Sequence, residues 1–190
     1  MPADGAAVPD AELAARAARG DHDALDALLD RHAQRVYAVC VRIVGNRDDA
    51  LDATQDALIA VARGIARFNG ASSFTTWLYR VATNAALDEV RRRSRRPLPS
   101  DTLPEPPMHT SPEMRVADQL VIDAALRTVP VEFRAAVVLR DLADLDYAQI
   151  GAILDIPAGT VRSRIARGRA ALARALPHEA PAPRPAEPRA

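Results

Sequence analysis

Six prolines fall within residues 97–112 (Pro97, Pro99, Pro104, Pro106, Pro107 and Pro112), and no other feature constrains the fold of this chain as strongly. A proline ring fixes φ near about −65° and removes a backbone donor, so neither a helix nor a central strand continues through such a stretch. The segments on either side must bury their apolar faces separately. Residues 97–116 read as a semi-rigid extended linker, and at about 3.1 Å per residue the proline-studded part spans about 50 Å. Two small domains are therefore expected, over 21–96 and 117–176. Residues 1–20 form a loose segment and the start of a first helix, and the Pro/Ala-rich residues 177–190 are expected to be a disordered tail.

Both domains read as all-α. Apolar positions are mostly Ala, Leu and Val, with aromatics at only 4%, which favours thin helical bundles over a mixed core. A first helix starts at Asp10 and a second follows Asp21. In the second, Leu25, Leu28, Leu29, Val36, Val39, Cys40 and Ile43 share one face. Gly45-Asn46 ends it. Asp48 and Asp49 are expected to cap a third helix that runs to about residue 63 and buries Leu51, Leu58, Val61 and Ile65. A fourth starts near Ser73 and continues through the Arg run. Beyond the linker the pattern predicts helices over 113–127, 131–140, 147–154 and 160–176.

The formal net charge is zero, but its distribution is uneven. Acids gather before residue 57, and Arg gathers at 91–96 and 162–174, so different parts of the chain suit different partners. Every basic residue other than His is Arg, which suits bidentate contacts to phosphate and guanine. Catalytic chemistry is thin. His22, His32, His109 and His178 are scattered, with no His-Glu-x-x-His pair, Cys/His ligand set, Gly-rich phosphate loop or nucleophile elbow. No enzyme activity, cofactor or metal is expected. Cys40 stands alone in an apolar stripe and reads as a small buried hydrophobe. With no secretion signal and no run approaching about 18 apolar residues, the chain is expected to be cytoplasmic, without membrane insertion.

Residues 147–165 carry the marks of a helix-turn-helix. Ala148, Ile150 and Leu154 are placed to pack inward, Asp155–Gly159 forms the turn, and Pro157 bars helix continuation. Thr160 is expected to cap the second helix, with Val161, Ile165 and Leu172 facing the core. Arg162, Ser163, Ala166 and Arg167 then share the opposite face, in the pattern that lies in a major groove, with Arg164, Arg169 and Arg174 near the phosphates.

The segment from Phe68 to Arg96 brings together aromatics, a small-polar loop and a helix ending in guanidinium groups, a combination that suits a single strand with its bases turned out. Phe74 and Trp77 recur with Val81 and Ala85 at helical spacing and read as core. Phe68, Asn69, Ser72, Ser73 and Thr75 in the loop, and Arg80, Thr83, Asn84, Arg91 and Arg92 along the helix, are the nucleic-acid candidates. On the preceding helix Asp52, Gln55, Asp56 and Ile59 fall on one face away from the core stripe. An Ile exposed among carboxylates suits a protein partner that offers Arg and a small apolar spot.

Phe68-x-Gly70-x-x-x-Phe74-x-Thr76-Trp77-Leu78-Tyr79-Arg80-Val81-Ala82-x-Asn84, followed by Asp88 and the Arg run, resembles the promoter-melting region of the extracytoplasmic-function (ECF) sigma factors of bacterial RNA polymerase. Gly159-Thr160-Val161-Arg162-Ser163-Arg164-Ile165 resembles the second DNA-binding region of the same family, and Asp52-x-x-Gln55-Asp56 its docking helix. The overall look is that of the SigM-like subgroup from high-GC actinobacteria. The resemblance covers roughly residues 20–96 and 117–176. It departs where aromatics are usual, since Leu58 and Ala62 stand there. It implies core polymerase as partner through its β′ and β subunits, promoter DNA at its −10 and −35 elements, an anti-sigma factor, and a monomer when free. By the same analogy the linker, with Asp101 and Glu105, threads the RNA exit path. Read without the resemblance, the residues also allow a helix-turn-helix regulator that binds duplex DNA alone, or a helical adaptor whose basic faces serve only solubility.

Overall fold

The structure, a computed structural model, describes residues 8–95 and 114–176. Most of the linker and the C-terminal tail, with Asp101 and Glu105, lie outside those residues. The described residues form eight α-helices and one 3₁₀ turn, contain no strand, and fall into two helical groups.

In the first group α1 (Asp10–Ala18), α2 (His22–Val44), α3 (Arg47–Gly64) and α4 (Phe74–Arg95) pack around α2. Local chemistry sets their ends. Asp21 caps α2 by accepting from the Ala24 amide at 3.0 Å, and Gly45 closes it at φ 89°, a left-handed conformation that strains any residue with a Cβ. Asn46 caps α3, accepting from the Asp49 amide at 2.9 Å. Asp48 and Asp49, expected as caps, instead occupy the first turn, because the extended backbone of Asn46 already sets its side chain over the free amides.

The face that α3 buries also differs from the sequence reading. Ala50, Ala53, Ala57 and Val61 line its inner side, Leu58 is half-buried, and Leu51 is 51% exposed. Alanines let α3 lie close against α4, and Leu51 sits just outside that stripe. Ile65, in the 3₁₀ turn Ile65–Arg67, is buried as expected. Cys40 is buried too, and burial pushes its thiol up to about 11, consistent with an apolar packing role.

Periodicity did not mark His32 as a core residue. It is buried, with Nε2 2.7 Å from Asp10 Oδ2, while Arg31 donates to Asp10 Oδ1 at 2.6 Å. Burial raises the pKa of the Asp10 carboxyl, but hydrogen bonds and charge from Arg31 and His32 outweigh that and hold it below the ordinary carboxylate range. A depressed folded pKa gives stability that is present above the unfolded value and lost as pH falls through the folded one. Asp10→Asn is therefore expected to cost about 1–2 kcal/mol at neutral pH, through loss of charge-assisted hydrogen bonds. The gap from the parent should close below about pH 4. Thermal melts at stepped pH measure both, and a constant gap down to acid pH would remove Asp10 as the cause.

The second group contains α5 (Met114–Thr128), α6 (Val131–Asp141), α7 (Tyr147–Leu154) and α8 (Ala158–Ala175). Helix α7 has the predicted bounds because Asp146 and Gln149 form a reciprocal capping box, at 2.8 and 2.9 Å, and Asp155 ends it at φ 53°. Its inward residues are Ile150, Gly151 and Ile153. Ala148, expected inward, is exposed and Leu154 is half-buried, since this two-turn helix packs through i and i+3. Helix α8 begins before Thr160. Pro157 presets φ at −59° at its entrance, so Thr160 lies inside the first turn with its amide donating to the Pro157 carbonyl at 2.8 Å, and its side chain is not the cap.

The two groups touch. Arg42 of α2 pairs with Asp123 of α5 at 3.3 Å, and Gln149 Nε2 donates to Thr76 Oγ1 at 3.0 Å. Arg134, buried on α6, lies beside the Gly45 turn.

Candidate functional site

Three surfaces gather the residues singled out above. On α3, Asp52, Gln55, Asp56 and Ile59 are all exposed along one side. Leu51 joins them, four residues before Gln55 and eight before Ile59, so the acidic face carries two apolar side chains. Sequence reasoning missed Leu51 by assigning it to the core. Asp56 is already engaged: Arg92 Nη2 donates to its Oδ2 at 2.7 Å. Arg92 Nε also lies 3.2 Å from Glu89, which is 1% exposed, so the acidic face and the end of α4 are tied together.

The second surface is the loop before α4 and the outer side of that helix. Ser73 Oγ accepts from the Thr76 amide at 3.0 Å and shares a hydrogen bond of 2.8 Å with Thr76 Oγ1, which fixes the start of α4. Gly70 at φ 72° and the Asn69 side chain, accepting from the Ala71 amide at 3.1 Å, shape the loop. Asn69, Ser72 and Ser73 are exposed and Thr75 is half-buried. Phe68, Phe74 and Trp77 form one aromatic cluster with centroids 5.4–5.9 Å apart. Phe74 is core, as expected, and the half-buried Phe68 has part of its surface covered by the other two rings.

Along α4, Arg80 and Asn84 are exposed, but Thr83 is 0% exposed, with its hydroxyl unpartnered inside the domain. It does not share the exposed face of Arg80 and Asn84, on which the sequence reading places it. The helix rotates Thr83 towards the core with Ala82 and Ala86. Nor is the Arg run an open cluster. Arg91 pairs with Asp88 at 2.7 Å, Arg92 with Asp56, and Arg93 with Asp49 at 3.3 Å. The exposed pairs of Arg91 with Asp88 and Arg92 with Asp56 are worth about 0–1 kcal/mol, so phosphates can exchange for those carboxylates at little cost.

The third surface is α8. Arg162, Ser163, Ala166 and Arg167 are exposed together, Arg164 is half-buried, and Arg169 Nε donates to Asp141 at 3.1 Å. The Arg162 guanidinium stands 5.8 Å from the Tyr147 ring centroid and that of Arg167 5.9 Å from Phe133. Gly168 is buried where α8 crosses α6: a Cβ there would lie 2.5 Å from Val137 Cγ2 and 3.0 Å from the Phe133 carbonyl. Gly151 is similar, since its Cβ would meet the Ile156 carbonyl at 2.8 Å. Glycines inside helical patterns were the available signal for both close approaches.

Comparison with known proteins agrees with this division. The Sigma-70 region 2 family model matches residues 28–96 and the Sigma-70, region 4 model residues 119–172. The chain is 44% identical over 161 residues to the ECF RNA polymerase sigma factor SigE of Mycolicibacterium smegmatis, covering 80% of this chain and 62% of that relative's length. It is 37% identical over 169 residues to the ECF RNA polymerase sigma factor SigM of Mycobacterium tuberculosis, covering 88% and 84%. The RNA polymerase sigma-H factor of Pseudomonas aeruginosa is 34% identical over 180 residues, covering 88% and 93%. Among solved structures, CnrH in complex with the cytosolic domain of CnrY superposes with a TM-score of 0.65 at 25% identity, over 87% of this chain and 95% of that one. The fold is also that of the sigma factor RpoE of Bartonella quintana, solved with the anti-sigma factor NepR (TM-score 0.61, 22% identity, 77% and 92% coverage). With both sigma regions matched in order on two helical domains, the chain belongs to the extracytoplasmic-function family of RNA polymerase sigma factors.

Proposed function

We propose that this sigma factor docks on core RNA polymerase through the α3 face, Asp52, Gln55, Asp56 and Ile59 with Leu51 beside them, and reads two promoter elements with its two domains. The docking partner is the β′ subunit, with β contacting the second domain. The loop Asn69–Ser73, the remaining edge of Phe68, and Arg80, Asn84, Arg91 and Arg92 of α4 capture the proximal element as its strands part. Unstacking costs a few kcal/mol per base, and stacking and hydrogen bonds to the displaced bases must offset it. Arg162, Ser163, Ala166 and Arg167 of α8 read the distal element as duplex, and Thr160 and Arg164 support the helix at the backbone. Reaching two separate elements parts the contact between Gln149 and Thr76, and the proline-rich sequence between the domains is long enough to permit that.

The observation that carries this reading is the presence, on one chain, of an acidic apolar-tipped face, a small-polar loop beside paired arginines, and a groove-sized basic helix. A regulator that binds duplex DNA alone has no use for the first two. An anti-sigma factor as a further partner is in keeping with the complex of RpoE with the anti-sigma factor NepR. No helix among the described residues is long and apolar enough to cross a membrane. Run-off transcription with purified core polymerase from a high-GC bacterium, on pooled genomic fragments, tests the proposal. Discrete transcripts that require the protein are expected. Selective fragment binding by the protein alone, with no initiation, would replace this reading with a duplex-binding regulator.

A further inference from the structure

We propose that Tyr147 and Phe133 are specificity-determining residues, which fix the base preference of α8 by holding Arg162 and Arg167 against their rings. This rests on the reading of α8 as the duplex-reading helix. The arginines of α8 are held in different ways. Arg169 is bound by the Asp141 carboxylate, which takes the donors of one edge, Nε and Nη2. Arg162 and Arg167, exposed like Arg169 but without a carboxylate partner among the described residues, lie instead 5.8 and 5.9 Å from aromatic centroids. Contact with a ring uses the π surface of a guanidinium and leaves its edge donors free, and those donors grip guanine O6 and N7 as a pair.

The rings are themselves anchored. Tyr147 is the first residue of α7, directly after the N-cap Asp146 and within the capping box that Asp146 forms with Gln149. Arg140 also lies 5.6 Å from its centroid, while donating through Nη1 to the Leu145 carbonyl at 2.8 Å. A guanidinium fixed to the backbone thus holds one ring, and that ring holds the reading guanidinium. Phe133 sits on α6 where its carbonyl approaches Gly168, one residue from Arg167, so the closest crossing of α6 and α8 sets the second ring. An unrestrained arginine loses much of its rotamer freedom on engaging a base edge. One already confined to a ring face loses less, and reaches fewer wrong base pairs.

The test uses the full chain with core polymerase on a promoter library randomised across the distal element, reading base preference from the transcribed sequences. Arg162→Ala and Arg167→Ala should each flatten the preference at their own base pairs. Tyr147→Leu should weaken the preference at the Arg162 positions by about two- to fivefold, the size of an exposed cation–π contact. Tyr147→Phe, which keeps the ring, should preserve it. Phe133→Leu should act in the same way at the Arg167 positions. Uniformly reduced transcription with an unchanged preference profile in both Leu variants would reduce the rings to structural supports and overturn the proposal. Flattening by Tyr147→Phe would also overturn it, because the hydroxyl would then be the active group. If neither arginine variant alters the profile, the reading of α8 itself fails. Tyr147 is exposed, so its variants keep the test open even where Phe133→Leu impairs folding.

Discussion

Asp56→Arg is expected to abolish association with core polymerase and to cut run-off transcription about 100-fold or more, while the protein stays folded. Setting like charges together at an interface costs several kcal/mol, and about 3 kcal/mol corresponds to that factor. The fold survives because Asp56 is half exposed and its partner Arg92 is equally so, which limits the intramolecular pair to at most about 1 kcal/mol. The substitution sets Arg against Arg92, so a slightly lower melting temperature should accompany the loss of function. Asp26→Arg, an equal charge change at an exposed position on α2, serves as the control and should leave core binding unchanged. Co-purification and titration of tagged core polymerase give the affinities. A folded Asp56→Arg protein with parental core affinity would move the docking surface away from α3.

Much of this architecture is legible in the sequence, and the reasons are local. Helix α7 fell on its predicted bounds because Asp146, Gln149 and Pro157 are short-range signals that tertiary contacts do not override. The division into two helical groups followed from proline chemistry alone. What failed was the choice between neighbouring faces. Leu51 was placed in the core because leucine is the louder apolar signal, whereas the α3–α4 contact is built from alanines. Thr83 was placed on the surface because it is polar, and yet the same turn carries the fully buried Ala82. Periodicity cannot distinguish two stripes about 100° apart on one helix.

The candidate surfaces were readable as lists of residues but not as circuits. Nothing in the sequence pairs Arg92 with Asp56, thirty-six positions away, or Gln149 with Thr76, seventy-three away. Both pairs join surfaces that the sequence treats as separate, one linking the acidic α3 face to the Arg run, the other linking the two helical groups. The aromatic supports under Arg162 and Arg167 are likewise tertiary, contributed by α7 and α6 to side chains of α8. Identity of residue types carries over from a motif, whereas which charges are already engaged depends on the folded chain.

Gly168→Val should disable use of the distal element while sparing polymerase docking. A Cβ at 168 meets Val137 Cγ2 at 2.5 Å and the Phe133 carbonyl at 3.0 Å, and the second obstacle is backbone that no rotamer change can move. Valine adds two further methyl groups, so α6 and α8 must part, and overpacking of this kind costs about 1–3 kcal/mol. That is a large share of the stability of the second domain, about 3–9 kcal/mol for its size. The same separation withdraws Phe133 from Arg167, so the surviving folded fraction should also read its base pairs less sharply. Gly159→Val provides the comparison on the same helix: nothing lies within 4 Å of a Cβ there, and its effect on stability should stay within about 0.5 kcal/mol. Urea titration compares the two variants, and core affinity, which the proposal assigns to α3, should match the parent in both. If Gly168→Val unfolds at the same urea concentration as Gly159→Val, α8 does not lie this close to α6, and the placement of Arg167 above Phe133 falls with it.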